Sequence, residues 1–539
     1  MEKCRRLLFW TLFISLCALA LAWALRCYGA AESIPNLSIF YALISRHDAV
    51  AAIPFVAILF LAPFFPQRRM KAVIEELSRP SRTFWCLLFL TLSLFSLFIY
   101  QNYPLSRDEQ MLIFQSEIFS RGRLTGQWPH HLVRYLVPPG HHIFTIASQS
   151  DGRCMSAYWP SFSALLTPFT ALSLRWLLNP LICVLSLLLL QYFIRVLLPE
   201  NKEAPGWVLF LSLASPQLVV MSFSFYSMTA HLFFNLLFAI LLFEPKPQRL
   251  FCAGLAGGFA MCLHNPFPHL VFALPLIIWL MGQGKFFGRL AALVFGYAIT
   301  FSIFGGTYLW LKSTIMGPGS ASLMSLLSVI KGMNVDMLWI RLLCLLKLWL
   351  WAAPGLIVLF FFSLRETWQQ SYLRALLLSG ALILFSSLFH HGSQGHGWGY
   401  RHFHYCWFLL PLFAAWTLSR HGKELKSLSF SLCLLSILVL LPLRCYQVRT
   451  FISEFRASIP PINRNDSQIV FIRPFKGYMA DHIYNSPFLE NKTIFLTGLN
   501  EPVERAIIEH YFPAAKFRKR FADGTIWTLP TVTKLAIEP

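Results

Sequence analysis

Hydrophobic positions along this chain fall in long, nearly uncharged runs rather than in short alternating ones. The runs predict helical spans near residues 7–26, 47–65, 83–100, 180–198, 207–222, 229–243, 250–264, 268–281, 289–311, 337–362, 372–390, 403–419 and 427–443. Their length matches helices that cross a bilayer. Only helices and closed barrels satisfy their backbone in lipid, and uninterrupted apolar runs are not barrel strands. The expected fold class is therefore a polytopic α-helical membrane protein of about thirteen spans. A signal-peptide-like start, with Lys3, Arg5 and Arg6 before an apolar stretch, reads as the first span because further spans follow.

Polar positions test this reading. With Lys3, Arg5 and Arg6 in the cytoplasm, alternate loops should be basic. They are: 66–82, then the loops with Arg195 and Lys202, Lys246 and Arg249, Lys285 and Arg289, Arg365 and Arg374, and finally 420–426. The extracytoplasmic side then receives 101–179, 223–231, 264–269, 312–336, 390–404 and everything after about Arg444. The apolar stretch 158–178 would invert this pattern if it spanned, and it contains Pro160, Pro168 and Arg175, so we read it as a helix lying in the interface.

The last residues change pattern. "SQIVFI", "KTIFLTG" and "GTIWTL" read as short strands, and "NEPVERAIIEHYF" as a helix behind an Asn cap. This divides the chain into a membrane part, 1–443, whose loop 101–179 is the catalytic candidate, and a small extracytoplasmic α/β domain, 444–539. The domain has no phosphate loop, metal spacing or nucleophile signature, which leaves a docking or stabilising role.

Composition adds one exclusion. The chain is 56% hydrophobic and 13% charged, with mean hydropathy +0.57. Its net charge of +21 is spread between hydrophobic runs as topogenic charge, which argues against nucleic acid. The twelve cysteines lie mostly within apolar runs and imply no disulfide. Gly254, Gly257 and Gly258 sit inside a span and read as close helix packing, not as a nucleotide loop.

Chemistry enters just after the third run, in "PLSRDEQMLIFQSEIFSRGRLTG". Ser106 followed three residues later by Glu109 is a capping-box pattern, and Asp108 suits the first helical turn. The same pair lies at the extracytoplasmic headgroup plane, where a carboxylate meets both a lipid-linked phosphate and a water-borne substrate. Glycosyl transfer from a lipid phosphate needs a base for the acceptor hydroxyl and cations for the leaving phosphate.

The ordered series Arg107-Asp108-Glu109, "SRGRLTG", "YWPSFSALLTPF", "LNPLICVLSLLLLQYF", "YSMTAHLFFNLLFAILLF", "AGLAGGFAMCLHNP" and "GHGWGYRHFHYCWFLLPLF" resembles the GT-C superfamily of membrane glycosyltransferases. It is most similar to the family-39-like branch with protein O-mannosyltransferases and lipid A aminoarabinose transferases. The resemblance implies a polyprenyl-phosphate sugar donor, a glycan, lipid or protein acceptor, and Asp108 as the base. It leaves Glu109 to assist, to position a metal, or to cap the helix. Where related sequences carry Thr-Arg-Pro this chain has Leu263-His264-Asn265-Pro266, and Gly399-Tyr400-Arg401 stands for Gly-Pro-Arg.

Arg401 is the candidate for the donor phosphate, against a snorkelling interface arginine. His264 is a further phosphate candidate, and Arg121, Arg123 and Arg134 are outer cations, each read as a substrate ligand against a solvated or headgroup-facing charge; Trp398 and Tyr400 are candidates to stack on a sugar. No cofactor is certain. For a divalent metal the candidates are Asp108, Glu109, His402 and His404, within a histidine-rich set that includes His390, His391, His396, His130, His131, His141 and His142. A bacterial inner membrane is the expected location. The alternatives are a transporter or flippase, which would keep ionisable residues at mid-membrane, and a scaffold without catalysis. Arg341 and Lys347 are the charges read within a span.

Overall fold

The structure, a computed structural model, describes residues 2–31, 39–65, 69–284, 286–317, 335–388, 394–459, 466–474 and 479–530. It is an integral membrane protein built mainly of helices. Among the described residues, five helices are long and apolar enough to cross a bilayer: Glu2–Tyr28, Ile39–Phe64, Arg175–Leu197, Phe287–Met316 and Lys423–Ala457. Three bent pairs raise the total to eight at most. The count of thirteen is therefore not reached by this criterion, and the reason is local. Several apolar runs form shorter helices, Met228–Phe243, Phe267–Met281, Ser371–Ser387 and Leu409–Ser419, and others are broken.

The breaks follow backbone chemistry. The run at 207–222 is Ala204–Leu213 and Pro216–Ser222, meeting at 71°, because Pro216 starts a new first turn behind an extended Ser215. The run at 337–362 is Leu338–Trp351 and Leu356–Thr367 at 100°, with Gly355 at φ 85° after Pro354. Hydropathy sees one apolar stretch in each case and cannot see the corner. The interfacial stretch holds a helix of eleven residues, Ser161–Ala171, about 16 Å long at ~1.5 Å per residue and too short to cross. The glycine-rich helix Pro247–Met261 packs backbone to backbone on Phe286–Phe301, since a Cβ on Gly254 would lie 2.1 Å from the Leu293 carbonyl oxygen.

The final long helix differs from expectation at its end. It runs unbroken through 443 to Ala457, so the expected boundary at 443/444 falls mid-helix. Hydropathy falls there because Arg444 and Gln447 are polar, yet both are buried against other helices. Beyond it lies a four-stranded sheet in the order Thr493–Thr497, Gln468–Ile472, Gly524–Thr528, Lys516–Phe521, the first pair parallel and the rest antiparallel. Lys516–Phe521 is missing from the strands read in the sequence, because its charged, exposed residues carry no apolar alternation. Asn500 caps Glu501–Tyr511 by accepting from the Val503 N–H at 3.0 Å.

This sheet does not stand alone. Ile469, Phe471, Leu496 and Ile508 share one core with Met111, Phe114, Trp128 and Leu136 of the long loop. Burial of that shared apolar surface fixes the C-terminal strands over the helix Arg107–Ser120, which also carries the acidic pair.

A candidate active site on the loop helix

Ser106 is extended and its hydroxyl accepts from the Glu109 N–H, while the Glu109 carboxylate reaches back to the Ser106 N–H at 3.3 Å. The capping box is complete, and it decides the role of Glu109. That carboxylate is fully buried and receives three more donors: Leu105 N–H at 2.8 Å, Tyr100 Oη at 2.8 Å and the Phe225 N–H at 2.8 Å. Burial pushes its pKa up to about 7, against the pull of these four donors. Glu109 is a pin between the start of the loop helix and the segment after Pro216–Ser222, with no surface open to solvent.

A raised pKa has a sign. Between about pH 4.5 and about pH 7 the folded protein binds the Glu109 proton more tightly than the unfolded chain, so this group's contribution to stability declines as pH rises through that window. Glu109→Gln abolishes that slope. Melting profiles of the two proteins in detergent, taken across pH 5 to 7.5, are expected to diverge in slope; parallel profiles would contradict it.

Asp108, one residue earlier and about 100° around the helix, points elsewhere. One oxygen accepts from the Tyr158 hydroxyl and the other from Arg401 Nη1. The pair sits at the edge of solvent, with side chains 14% and 11% exposed. Burial works to raise the Asp108 pKa, but the Arg401 guanidinium and nearby His264 overcome it and hold the carboxyl below its ordinary value. The pair raises the Arg401 pKa in turn, despite burial. His264 stacks on the Tyr158 ring, centroids 4.2 Å apart. Arg401 lies 5.2 Å from the Tyr226 ring centroid. Its Nε is buried without a hydrogen-bond partner, so the guanidinium holds a spare donor.

The turn that delivers Arg401 is built from two glutamines. Gln217 accepts from the Tyr400 N–H at 2.8 Å, and Gln394 binds the Gly399 carbonyl at 2.7 Å and the Arg401 N–H at 3.2 Å. Gly399 has φ 61°, and a Cβ there would lie 1.7 Å from Gln217 Oε1, so the glycine is obligatory. The aromatic neighbours are structural. Trp398 and Tyr400 are 1% and 2% exposed, Trp398 donating to Tyr100 Oη at 3.4 Å and Tyr400 to Ser387 Oγ at 2.7 Å. Neither offers the free ring face expected for a sugar.

The remaining candidates disperse. Arg121 and Arg123 stack on Phe488 at the far end of the helix, and Arg121 pairs with Glu490. Arg134 stacks on Tyr135. His404 binds Gln217 at 3.4 Å, and His402 lies 3.5 Å from Tyr405 Oη. His396 pairs with Asp481, His131 stacks on Tyr511, and His141 accepts from Arg107. His130 edges onto His131, and His142 is exposed. His390 and His391 lie outside the described residues. Among the described residues no three of His, Cys, Asp or Glu gather as a metal-holding group. Arg107 instead donates to the carbonyls of Ala480 and Ile483 at 2.9 and 2.7 Å, tying the residue beside Asp108 to the C-terminal segment.

Sequence reasoning missed Tyr158 and Tyr226. Tyr158 opens the aromatic-proline stretch and is legible only as part of that pattern. Nothing local marks Tyr226.

Two solved structures share this architecture over most of their length. One is ArnT from Cupriavidus metallidurans bound to undecaprenyl phosphate, with TM-score 0.51, 10% identity, and coverage of 84% of this chain and 99% of that one. The other is the same protein in the apo state, with TM-score 0.52, 10% identity, and coverage of 83% and 98%. The chain shares the fold of these structures. No protein-family model matches it, and no curated protein matches it significantly. At 10% identity the fold alone is what is shared.

Proposed function

We propose that this protein is a polyprenyl-phosphate-dependent glycosyltransferase of GT-C type, transferring a sugar to a glycan, lipid or protein acceptor on the extracytoplasmic face of a bacterial inner membrane. The observation that carries this reading is the meeting of Asp108, on the long loop, with Arg401, remote in sequence, in a solvent-edged ion pair. The fold shared with a protein solved with undecaprenyl phosphate bound supports the donor class.

The chemistry follows from the two groups. Asp108 takes the proton of the acceptor hydroxyl as its oxygen bonds to the sugar's anomeric carbon. The bond from that carbon to the phosphate oxygen breaks, and polyprenyl phosphate leaves with the electron pair. Arg401 stabilises the charge gathering on the phosphate, its unused Nε giving a second donor. Without substrate the base and the phosphate ligand neutralise each other. A donor phosphate competes with Asp108 for the guanidinium and so makes the carboxylate a better base, while Tyr158 keeps it in place. Substrate arrival and base activation are thereby one event.

The transporter reading also gains an observation. Asp48, Lys347 and Arg444 form a buried charged cluster among the helices. The cluster is sealed, however, with side chains at most 1% exposed, and its charges bond to one another. A transport site needs a way in.

The deciding experiment is mass spectrometry of lipids that co-purify with wild type and with Arg401→Ala. We expect a polyprenyl-phosphate sugar on wild type, reduced about tenfold or more in the variant, in line with the loss of ~1.5–3 kcal/mol for a charge-assisted hydrogen bond. Ordinary phospholipids alone, unchanged by the substitution, would remove the donor assignment.

A further inference from the structure

On the side of the loop helix away from Asp108 lies a cavity of about 450 Å³. Nine residues separate Asp108 from Glu117 in its wall, which is half a turn beyond two full turns and ~13 Å along the helix axis. The cavity is therefore separate from the Asp108–Arg401 pair. Its size falls within the ~300–1,000 Å³ of ordinary ligand sites.

Three features define what fits. First, its charges cancel in pairs: Arg175 meets Glu117 at 3.3 Å, and Arg121 meets Glu490. A phosphate or carboxylate entering here would find no uncompensated cation. Second, Asn102 in the wall has an Oδ1 that lies just beneath the surface without a hydrogen-bond partner, so a small turn of the amide brings an unused acceptor to a hydroxyl in the cavity. Third, Asn102 and Ser173, both in the wall, hold φ of 45° and 59°, a left-handed backbone that non-glycine residues adopt at some cost.

Paired guanidinium and carboxylate groups, hydroxyls from Ser120 and Thr170, an orphan amide oxygen and an apolar patch from Pro487 and Phe488 describe a surface for a neutral polyol. Hydroxyls both donate and accept, and the C–H face of a sugar ring covers apolar carbon. We infer that this cavity binds a neutral saccharide. On the transferase reading, on which this use of the site rests, the saccharide is a part of the acceptor glycan lying away from the reacting hydroxyl, and its binding energy orients that hydroxyl.

The test is saturation-transfer-difference NMR on the full-length protein in nanodiscs. The probes are glucose, galactose, mannose, N-acetylglucosamine and their common disaccharides, with inorganic phosphate as the anionic comparison. At least one saccharide is expected to bind wild type, to bind Glu117→Gln and Asn102→Gly at least tenfold more weakly, and to bind Asp108→Asn unchanged. Asn102→Gly relieves the backbone strain, so it removes the amide without threatening the fold. No saccharide signal, equal binding to the variants, or binding of phosphate in preference overturns the inference. These outcomes are independent of the lipid experiment. A missing polyprenyl-phosphate sugar would sink the transferase reading and leave a saccharide site standing, whereas lost saccharide binding beside a bound donor would sink only the site.

Discussion

Asp108→Asn is expected to lower sugar transfer by about 10²- to 10⁴-fold, the usual contribution of a positioned general base, while the protein still folds. The asparagine oxygen keeps the bond from Tyr158, and Arg401 at the solvent edge recovers water in place of the lost charge. The neighbouring substitution Glu109→Ala should behave in the opposite way. It leaves four buried donors unmet and so damages folding rather than chemistry. The measurement is transfer from the donor identified on the purified protein, beside size-exclusion profiles of both variants. The pH profile adds a second check. Because the Asp108 pKa is depressed in the substrate-free protein, the carboxylate there is ionised well below neutrality, and both the stability of its ion pair and kcat/KM, which reports the free enzyme, are lost only as pH falls below the ordinary carboxylate value of about 4. A kcat/KM that disappears between pH 7 and pH 5.5 in parallel with protonation of Asp108 would contradict the assignment. Repeating the assay with EDTA settles whether a divalent cation joins Arg401 at the leaving phosphate.

The contrast between Asp108 and Glu109 shows what a sequence can disclose. The capping box is legible because its three-residue spacing is a local rule, and it makes capping one of the readings open to Glu109. Which carboxylate faces Arg401 is not, since that depends on two glutamines in different parts of the chain holding the turn at Gly399. The aromatic candidates fail for a related reason. Trp398 and Tyr400 look exposed in a polar loop, yet the loop folds inward and buries them under Tyr100 and Ser387. Hydropathy registers transfer into an apolar phase, so it finds the runs and the change of character towards the C-terminus. It cannot register a corner such as the 100° bend after Trp351, nor a helix that stays buried while turning polar after Leu441.

Asp48→Ala should destabilise the fold more severely than Glu109→Ala. In the sequence Asp48 stands at the edge of a span and Lys347 is a charge without an obvious partner. In the folded protein Asp48 is fully buried and accepts from Lys347 Nζ at 2.8 Å, Arg444 Nη1 at 2.8 Å and Trp351 Nε1 at 2.7 Å. Those partners come from the two other long elements that meet its helix, and Arg444 also stacks 4.2 Å from the Trp351 ring centroid. Removing the carboxylate strands two cations in a medium that cannot solvate them, a loss of about 3–5 kcal/mol for a single broken buried pair and more where two cations share one anion. The expected result is loss of the monodisperse peak in detergent. Polar pairing of this kind is nevertheless replaceable, because the desolvation of charges offsets most of their attraction. The triple variant Asp48→Leu, Lys347→Met, Arg444→Met should therefore recover the folded peak, and on the transferase reading it should recover transfer as well. A triple variant that folds but has lost activity would assign the cluster a working role, as transport through the helices would require.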